Sequence, residues 1–345
     1  GVAPYKTVVT HGWVVDGEGK KMSKSIGNTI APEEIIKQYG ADILRLWVAS
    51  ADYHADIRIS KEILKQLSES YRKIRNTARF ILGNISDFDP DADRVGEEAL
   101  TDLDRFALLK LNELVEKCRA GYDAFEYHAV YHAIHNFCVV DMSNFYLDVV
   151  KDRLYVEEKN STSRRAAQTV IFDILDTLTR LVAPILAFTA DEIWQFMPHR
   201  AGDEKANVVF NPIPEAKPLS DADHAFMEMW ENLHAVRNDV SKALEMARAA
   251  KVIGASLEAA VDLYAEGELY SFLRDRMEIL PEICIVSAVA LHEEAGGTYQ
   301  SEEQKLGVSV RHADGEKCVR CWKYTDTVGS DSAHPTLCSR CAGIV

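Results

Sequence analysis

No stretch of this sequence stays apolar for the ~18 to 20 residues that a membrane-spanning helix needs, which excludes a helical membrane protein. A secretory leader is missing too. The amino end, Gly1-Val2-Ala3-Pro4-Tyr5-Lys6, has neither an initiating Met nor an apolar core, and reads as an internal start within a longer protein. Positive charge is in deficit: 39 Lys and Arg face 54 Asp and Glu, for a net charge of −15. A uniform basic coat for nucleic acid is thereby excluded, and any such contact must use local patches. Cysteine is scarce until the tail that begins at Cys318. Of seven cysteines only Cys118, Cys138 and Cys284 precede it, each in an apolar setting that suits a small buried side chain. An odd total with a clustered quartet argues against a disulfide framework and for a reducing compartment, the cytoplasm, with a metal site. The remainder is ordinary for a globular protein, 47% hydrophobic and 27% charged, over a length that supports two or three domains.

Local patterns divide the chain. Thr7-Val8-Val9-Thr10 and Trp13-Val14-Val15 predict a strand or bent strand pair over residues 5–15, closed by the turn Asp16-Gly17-Glu18-Gly19. A polar loop follows to Asn28. Pro32 and Gly40 bound a short helix, residues 41–50 form another, and residues 56–59 a brief extended segment. From Ser60 the apolar spacing becomes that of long helices: residues 60–83, 101–119 behind a Thr101 cap, 123–150, and 164–197 with a break at Pro184. These suit an up-and-down bundle. Four prolines mark residues 198–218 as a connecting arm, and a helix over 221–251 comes next. Strands over 259–264, 283–291 and 306–310, with a helix over 268–277, outline a small α/β unit.

Within the polar loop, Lys21-Met22-Ser23-Lys24-Ser25 is the candidate for chemistry. Two ammonium groups closely follow a strand, where a nucleotide at the carboxyl edge of a sheet sets its phosphates. When a carboxylate attacks an α-phosphate, charge grows on the phosphorus oxygens and the departing pyrophosphate. Lysines on a mobile loop meet that charge more in the transition state than before it. Ser23 and Ser25 add donors, and Gly17, Gly19 and Gly27 give the loop room to close. A solvated lysine–serine turn is the plain alternative. The pentapeptide, set between Asp16-Gly17 and Ile26-Gly27-Asn28, resembles the second signature (KMSKS) loop of class I aminoacyl-tRNA synthetases. Val15-Asp16-Gly17-Glu18-Gly19-Lys20-Lys21 and Gly40-Ala41-Asp42-Ile43-Leu44-Arg45-Leu46-Trp47 are similar to the isoleucyl, valyl and leucyl subgroup. Ser70 to Phe80, and Phe145-Tyr146-Leu147-Asp148 with Lys151-Asp152-Arg153-Leu154-Tyr155, resemble its bacterial-type isoleucyl members. The likeness covers almost the whole chain and is thinnest over residues 255–310. The family's other nucleotide motif, His-Ile-Gly-His, does not occur, so the resemblance implies a C-terminal part that is inactive alone.

Cys318-Val319-Arg320-Cys321 and Cys338-Ser339-Arg340-Cys341 are two Cys-x-x-Cys knuckles. Their spacing brings two thiolate pairs onto one tetrahedral Zn²⁺ and leaves no open position, which makes the site structural. A redox pair or two disulfides would also use these residues; the doubled knuckle and the lack of a secretion signal weigh against both. The tail resembles the terminal zinc domain of the same family, whereas valyl enzymes end in a coiled coil that this chain lacks. Trp322, beside the first knuckle, is open to two readings: core packing, or a stacking platform for an unpaired base with Arg320 on a phosphate. Arg72, Arg75 and Arg79 share one helix face, which is either solvated or, as the resemblance implies, in contact with the tRNA stem. His128, His132 and His135 share a face as well and read as packing or surface residues.

The fold class expected is therefore multidomain and mainly α. It comprises the end of a Rossmann-type catalytic domain with the loop and a stem-contact segment (1–59), a helical anticodon-binding bundle (60–217), a small α/β unit (218–304) and a C-terminal zinc module (305–345). The resemblance implies a monomeric parent enzyme that joins isoleucine to tRNA(Ile) through an ATP-derived adenylate, with Mg²⁺ accompanying ATP. In it Lys21 and Lys24 would be catalytic, Met22, Ser23 and Ser25 would help bind ATP, and Arg320, Trp322, Arg72, Arg75 and Arg79 would meet the tRNA. A valyl or leucyl enzyme, or a non-catalytic zinc-ribbon RNA-binding protein, are the alternatives.

Overall fold

The computed structural model describes residues 2–345 and divides into two units. One contains residues up to 144 together with 165–218; the other contains residues 145–164 and 219–345.

In the first unit, Val14–Asp16 pairs in parallel with Ile57–Ile59. The strand expected over residues 5–15 is confined to its end. Val8 and Val9 are exposed and Trp13 is 79% exposed, and no further strand joins this pair among the described residues. Their β-type side chains have no sheet surface to enter. The helices Pro32–Tyr39 and Ala41–Ser50 follow, separated at Gly40, whose φ of 91° favours glycine.

The motif Gly40 to Trp47 fastens this region to the bundle. Asp42 is buried, and its carboxylate accepts the Thr189 backbone N–H at 2.7 Å and hydroxyl at 2.6 Å, near the start of the helix Ala187–Phe196. A carboxylate there satisfies orphan N–H groups and meets the positive end of the helix dipole. Arg45 donates to the carbonyls of Pro184 and Ile185 at 2.6 and 2.9 Å. Those carbonyls lie at the break between Thr162–Val182 and Ala187–Phe196, which Pro184 imposes as its sequence position predicts.

The first two bundle helices begin close to where the sequence places them. Ser60 accepts the Ile63 N–H, and the helix Lys61–Asn84 buries Leu64, Leu67, Ile74, Ala78 and Ile81. Thr101 and Asp104 form a reciprocal capping box at the start of Asp102–Asp123. That helix outruns its expected end near residue 119 and continues to Asp123, before the chain turns at Phe125 with φ 60°. Gly121 admits the next helix closely, since a Cβ there would stand 2.7 Å from the Val130 side chain. The expected single helix over 123–150 is instead α over Tyr127–Asn136 and π over Phe137–Tyr146. The Thr77 hydroxyl donates to the Cys138 carbonyl at 3.3 Å inside this widened stretch. The arm at 198–218 has only one short turn, Val208–Phe210, and is held to the bundle by Asn112, whose amide exchanges bonds of 2.9 and 2.7 Å with the Lys217 backbone.

In the second unit the helix Asp221–Ala249, capped by Ser220, packs on a four-stranded sheet. Ala259–Tyr264 is central and nearly all buried. It is parallel to Ala288–His292 and antiparallel to Gly307–His312, which also pairs with Tyr299–Gln300. The strand expected over 283–291 starts late because residues Leu280–Ile283 close a short helix and Ile285 turns with φ 55°. Residues 145–164 belong to this unit. Arg237 is buried over the Phe145 ring and donates to the Ile283 carbonyl at 2.7 Å and to Asp148 at 3.3 Å. Among the described residues no helix is long and apolar enough to cross a membrane.

Candidate functional site

The lysine loop is built on two side chains that the motif does not include. Asp16 ends the strand Val14–Asp16; its Oδ1 accepts the N–H groups of Glu18 and Lys20 at 3.0 and 2.8 Å, and its Oδ2 accepts the Asn28 amide at 2.8 Å. Asn28 in turn accepts the Ser23 N–H at 2.8 Å and donates to the Lys21 carbonyl at 3.2 Å. These bonds, the Asn28 amide foremost, hold the Asp16 carboxyl below its ordinary range. The loop thus has a fixed base on either side of the pentapeptide. Lys21, Lys24 and Ser25 are exposed, while Met22 and Ser23 are half-buried. Ser23 and Ser25 share a hydroxyl contact of 2.6 Å. Lys20 is engaged by Glu18 at 2.7 Å. Lys21 and Lys24 have no acidic partner among the described residues, so both ammonium groups are available to an incoming anion. Asn28 was visible in the sequence only as part of Ile26-Gly27-Asn28; nothing in its spacing marks it as the hub.

The four tail cysteines converge. Their Sγ atoms all lie within 4.8 Å of one another and all four residues are buried. Cys321 and Cys338 are 3.8 Å apart, which is about the S···S edge of a tetrahedron with Zn–S bonds of ~2.3 Å. The first knuckle is the bend between the paired strands Glu316–Lys317 and Tyr324–Thr325; the second runs into the short helix Ser339–Ala342. Gly315, with φ 86°, lets the hairpin close, since a Cβ would come 2.4 Å from the Thr325 backbone. Burial works against a thiolate at Cys318, but the N–H groups of Cys321, Cys338 and Arg320 outweigh it and bring that thiol down to about 6. Burial pushes Cys321 and Cys341 up. A soft four-sulfur set with one sulfur already poised as thiolate fits zinc and leaves no position for a substrate. Cys118, Cys138 and Cys284, by contrast, are single buried thiols pushed up by burial to about 12.

Trp322 does not pack into the knuckle. Its side chain is 61% exposed, and its backbone sits at φ 64°, in the left-handed region that favours glycine. The Lys317 ammonium lies 5.9 Å from its ring centroid. Arg320 is already engaged, donating Nε and Nη2 to the Val156 carbonyl at 3.2 and 2.7 Å. On the helix Lys61–Asn84, Arg72, Arg75 and Arg79 are all exposed. Arg72 pairs with Glu69 at 2.6 Å; Arg75 and Arg79 have no ion-pair partner among the described residues. The histidine series gathers no metal set: His132 and His135 rest against the Tyr131 ring at 4.9 and 5.9 Å, and the cysteine quartet is the one such cluster among the described residues.

Three family models match successive parts of the chain. Residues 1–60 match the family model "tRNA synthetases class I (I, L, M and V)", residues 104–263 match "Anticodon-binding domain of tRNA ligase", and residues 315–343 match "Zinc finger found in FPG and IleRS". The isoleucine–tRNA ligase of Caldanaerobacter subterraneus subsp. tengcongensis is 52% identical over 99% of this chain, and that of Geobacter sulfurreducens 53% identical over all of it. The chain spans only 37% of the length of each. Among solved structures, Mycobacterium tuberculosis methionyl-tRNA synthetase with methionyl-adenylate aligns with 54% of this chain and 37% of its own, at a TM-score of 0.46 and 23% identity. The LeuRS–tRNA–LeuAMS ternary complex of Agrobacterium radiobacter K84 aligns with 63% of this chain and 24% of its own, at 0.45 and 19%. By its sequence relatives, and by the family model over residues 1–60, the chain belongs to the class I aminoacyl-tRNA synthetases and corresponds to part of an isoleucine–tRNA ligase.

Proposed function

We propose that this chain is the C-terminal, tRNA-reading part of a cytoplasmic, monomeric isoleucyl-tRNA synthetase and supplies one loop to its catalytic site. The supporting observation is that a Lys21–Ser25 loop with free ammonium groups and a buried cysteine quartet lie on one chain that is 52% identical to isoleucine–tRNA ligases over 99% of its length. In the parent reaction isoleucine and ATP, with Mg²⁺, form an adenylate and pyrophosphate, and the acyl group then passes to the terminal ribose of tRNA(Ile). Lys21 and Lys24 are assigned to the developing phosphate charge, with Met22, Ser23 and Ser25 completing the ATP contact. Residues 1–59 serve the catalytic end, 60–217 the anticodon bundle apart from residues 145–164, which pack with the second unit, 218–304 the α/β unit and 305–345 the zinc module. Cys318, Cys321, Cys338 and Cys341 hold the zinc, whose role is to give the tail its fold.

The tRNA surface is assigned to Trp322 and to the exposed arginines Arg72, Arg75 and Arg79. Trp322 presents an open ring at a backbone conformation that costs roughly 1 to 3 kcal/mol for a side chain of its kind. A largely exposed ring in a strained position fits a stacking platform. Arg320 contributes from behind, since two of its donor nitrogens are already on Val156. Trp322→Ala should weaken tRNA(Ile) binding by roughly 5- to 150-fold, the range expected for one lost base stack of ~1 to 3 kcal/mol. Zinc content, measured on the same protein, should stay at one per chain. Lost affinity together with lost zinc makes Trp322 structural, and unchanged affinity removes it from the interface.

A further inference from the structure

Arg320 and Arg340 occupy the same place in the two knuckles, the residue before the second cysteine of each. Both reach the same short helix, Lys151–Val156, which lies 164 and 188 residues away in sequence from these contacts. Arg320 puts Nε and Nη2 on the carbonyl of Val156, the last residue of that helix, which has no helical partner of its own. Arg340 forks onto Asp152, with Nη1 to Oδ2 at 2.6 Å and Nη2 to Oδ1 at 2.9 Å, and lies 4.0 Å from Glu157. The Val156 side chain is buried in one cluster with all four cysteines. A carbonyl, a carboxylate and an apolar side chain of one helix turn thus hold both knuckles.

We propose that the helix Lys151–Val156 is part of the metal site. Asp152 and Val156 act as positioning residues for the knuckles, and zinc binding and the ordering of this helix form one coupled event. The inference rests on the zinc reading of the quartet. The physical grounds are three. The segment joining the knuckles, residues 322–337, ties them by single bonds such as the Val319 N–H to the Thr336 carbonyl at 3.2 Å and the Ser339 N–H to the Thr327 hydroxyl at 3.4 Å, and the contacts of the helix add a further grip on both. Zn²⁺ with four thiolates carries a formal charge of about −2, and Arg320, whose partner is a neutral carbonyl, offsets part of that charge, while Arg340 is matched by Asp152. A planar two-point fork such as Arg340–Asp152 also sets orientation, unlike a loose surface ion pair. Coupling is reciprocal: whatever factor zinc adds to the order of the helix, the helix adds to zinc affinity.

The test uses the whole zinc-loaded chain, with competition by a chromophoric chelator for affinity and amide hydrogen exchange for order. Asp152→Asn preserves shape but loses the charged fork, and should weaken zinc binding about 10-fold, the low end of the ~10- to 100-fold range for groups that orient metal ligands. Arg340→Lys, which keeps the charge and loses the fork, should do the same and serves if the first variant folds poorly. In the unsubstituted chain, chelation should speed exchange over residues 152–157 at least about 10-fold and leave the buried helix Thr162–Val182 unchanged. Zinc affinity intact in both variants, or exchange over 152–157 indifferent to the metal, overturns the coupling. A chain that binds no stoichiometric zinc at all overturns the zinc reading itself, and the coupling with it.

Discussion

Cys338→Ser should empty the zinc site and unfold the tail, leaving the helical bundle standing. The four sulfurs, with Val156, form the core of this module, and only Val328, Leu337 and Ile344 add partly buried apolar surface. So little burial cannot offset the backbone entropy of ordering the tail, at roughly 1 to 2 kcal/mol per residue. Structural zinc supplies ~10 to 16 kcal/mol in comparable small modules, and that binding energy is folding energy. One lost thiolate forfeits most of it. Elemental analysis should fall from one zinc per chain to near none, and proteolysis should cut after about residue 312, where the sheet strand Gly307–His312 ends. The bundle should keep its helicity, because its core rests on helices such as Thr162–Val182, where Val170, Ile171, Ile174 and Leu175 are fully buried. A tail that resists protease after the metal is gone contradicts the zinc assignment.

The second large effect belongs to the loop. In the full-length enzyme, Lys24→Ala should slow isoleucine-dependent ATP–pyrophosphate exchange by roughly 100- to 1,000-fold, comparable to removing one preorganised donor to a developing oxyanion. The loss should fall on kcat and leave tRNA affinity near normal, since the ammonium group acts mainly on transition-state charge. Lys21→Ala should behave alike. Both side chains are exposed and unpaired on a loop whose ends are pinned by Asp16 and Asn28, so removing either should leave the loop's base intact. A defect confined to tRNA binding would take the lysines out of the chemistry.

Elements defined by local signals were legible in advance. Thr101 caps a helix by its own hydroxyl, Pro184 breaks one, and the cysteine spacing specifies a quartet. These are decided within a few residues, so pattern reading reaches them. Features that depend on distant partners were not. Residues 5–13 have strand-like composition, yet a strand needs a neighbour, and only Val14–Asp16 has one. The π stretch Phe137–Tyr146 has an apolar pattern like that of an α-helix, and the widened register shows only where helix meets helix. Residues 145–164 read as bundle by period but pack with the zinc knuckles through Asp152 and Val156, a pairing across more than a hundred residues that no spacing rule encodes. Arg320 illustrates the same limit at the site: its charge suggested a phosphate contact, while the fold gives two of its nitrogens to a carbonyl.

Binding of tRNA is the most direct test of the proposed role. The chain, zinc-loaded, is titrated with tRNA(Ile) and with the same tRNA carrying a replaced anticodon, each at about 50 and 200 mM salt. The expected result is saturable binding that prefers the isoleucine anticodon by about 10-fold or more and weakens as salt rises, because the exposed arginines and the tail meet phosphates while stacking supplies selectivity. Equal affinity for the two tRNAs, or no binding at either salt concentration, would contradict a tRNA-reading part of an isoleucyl enzyme.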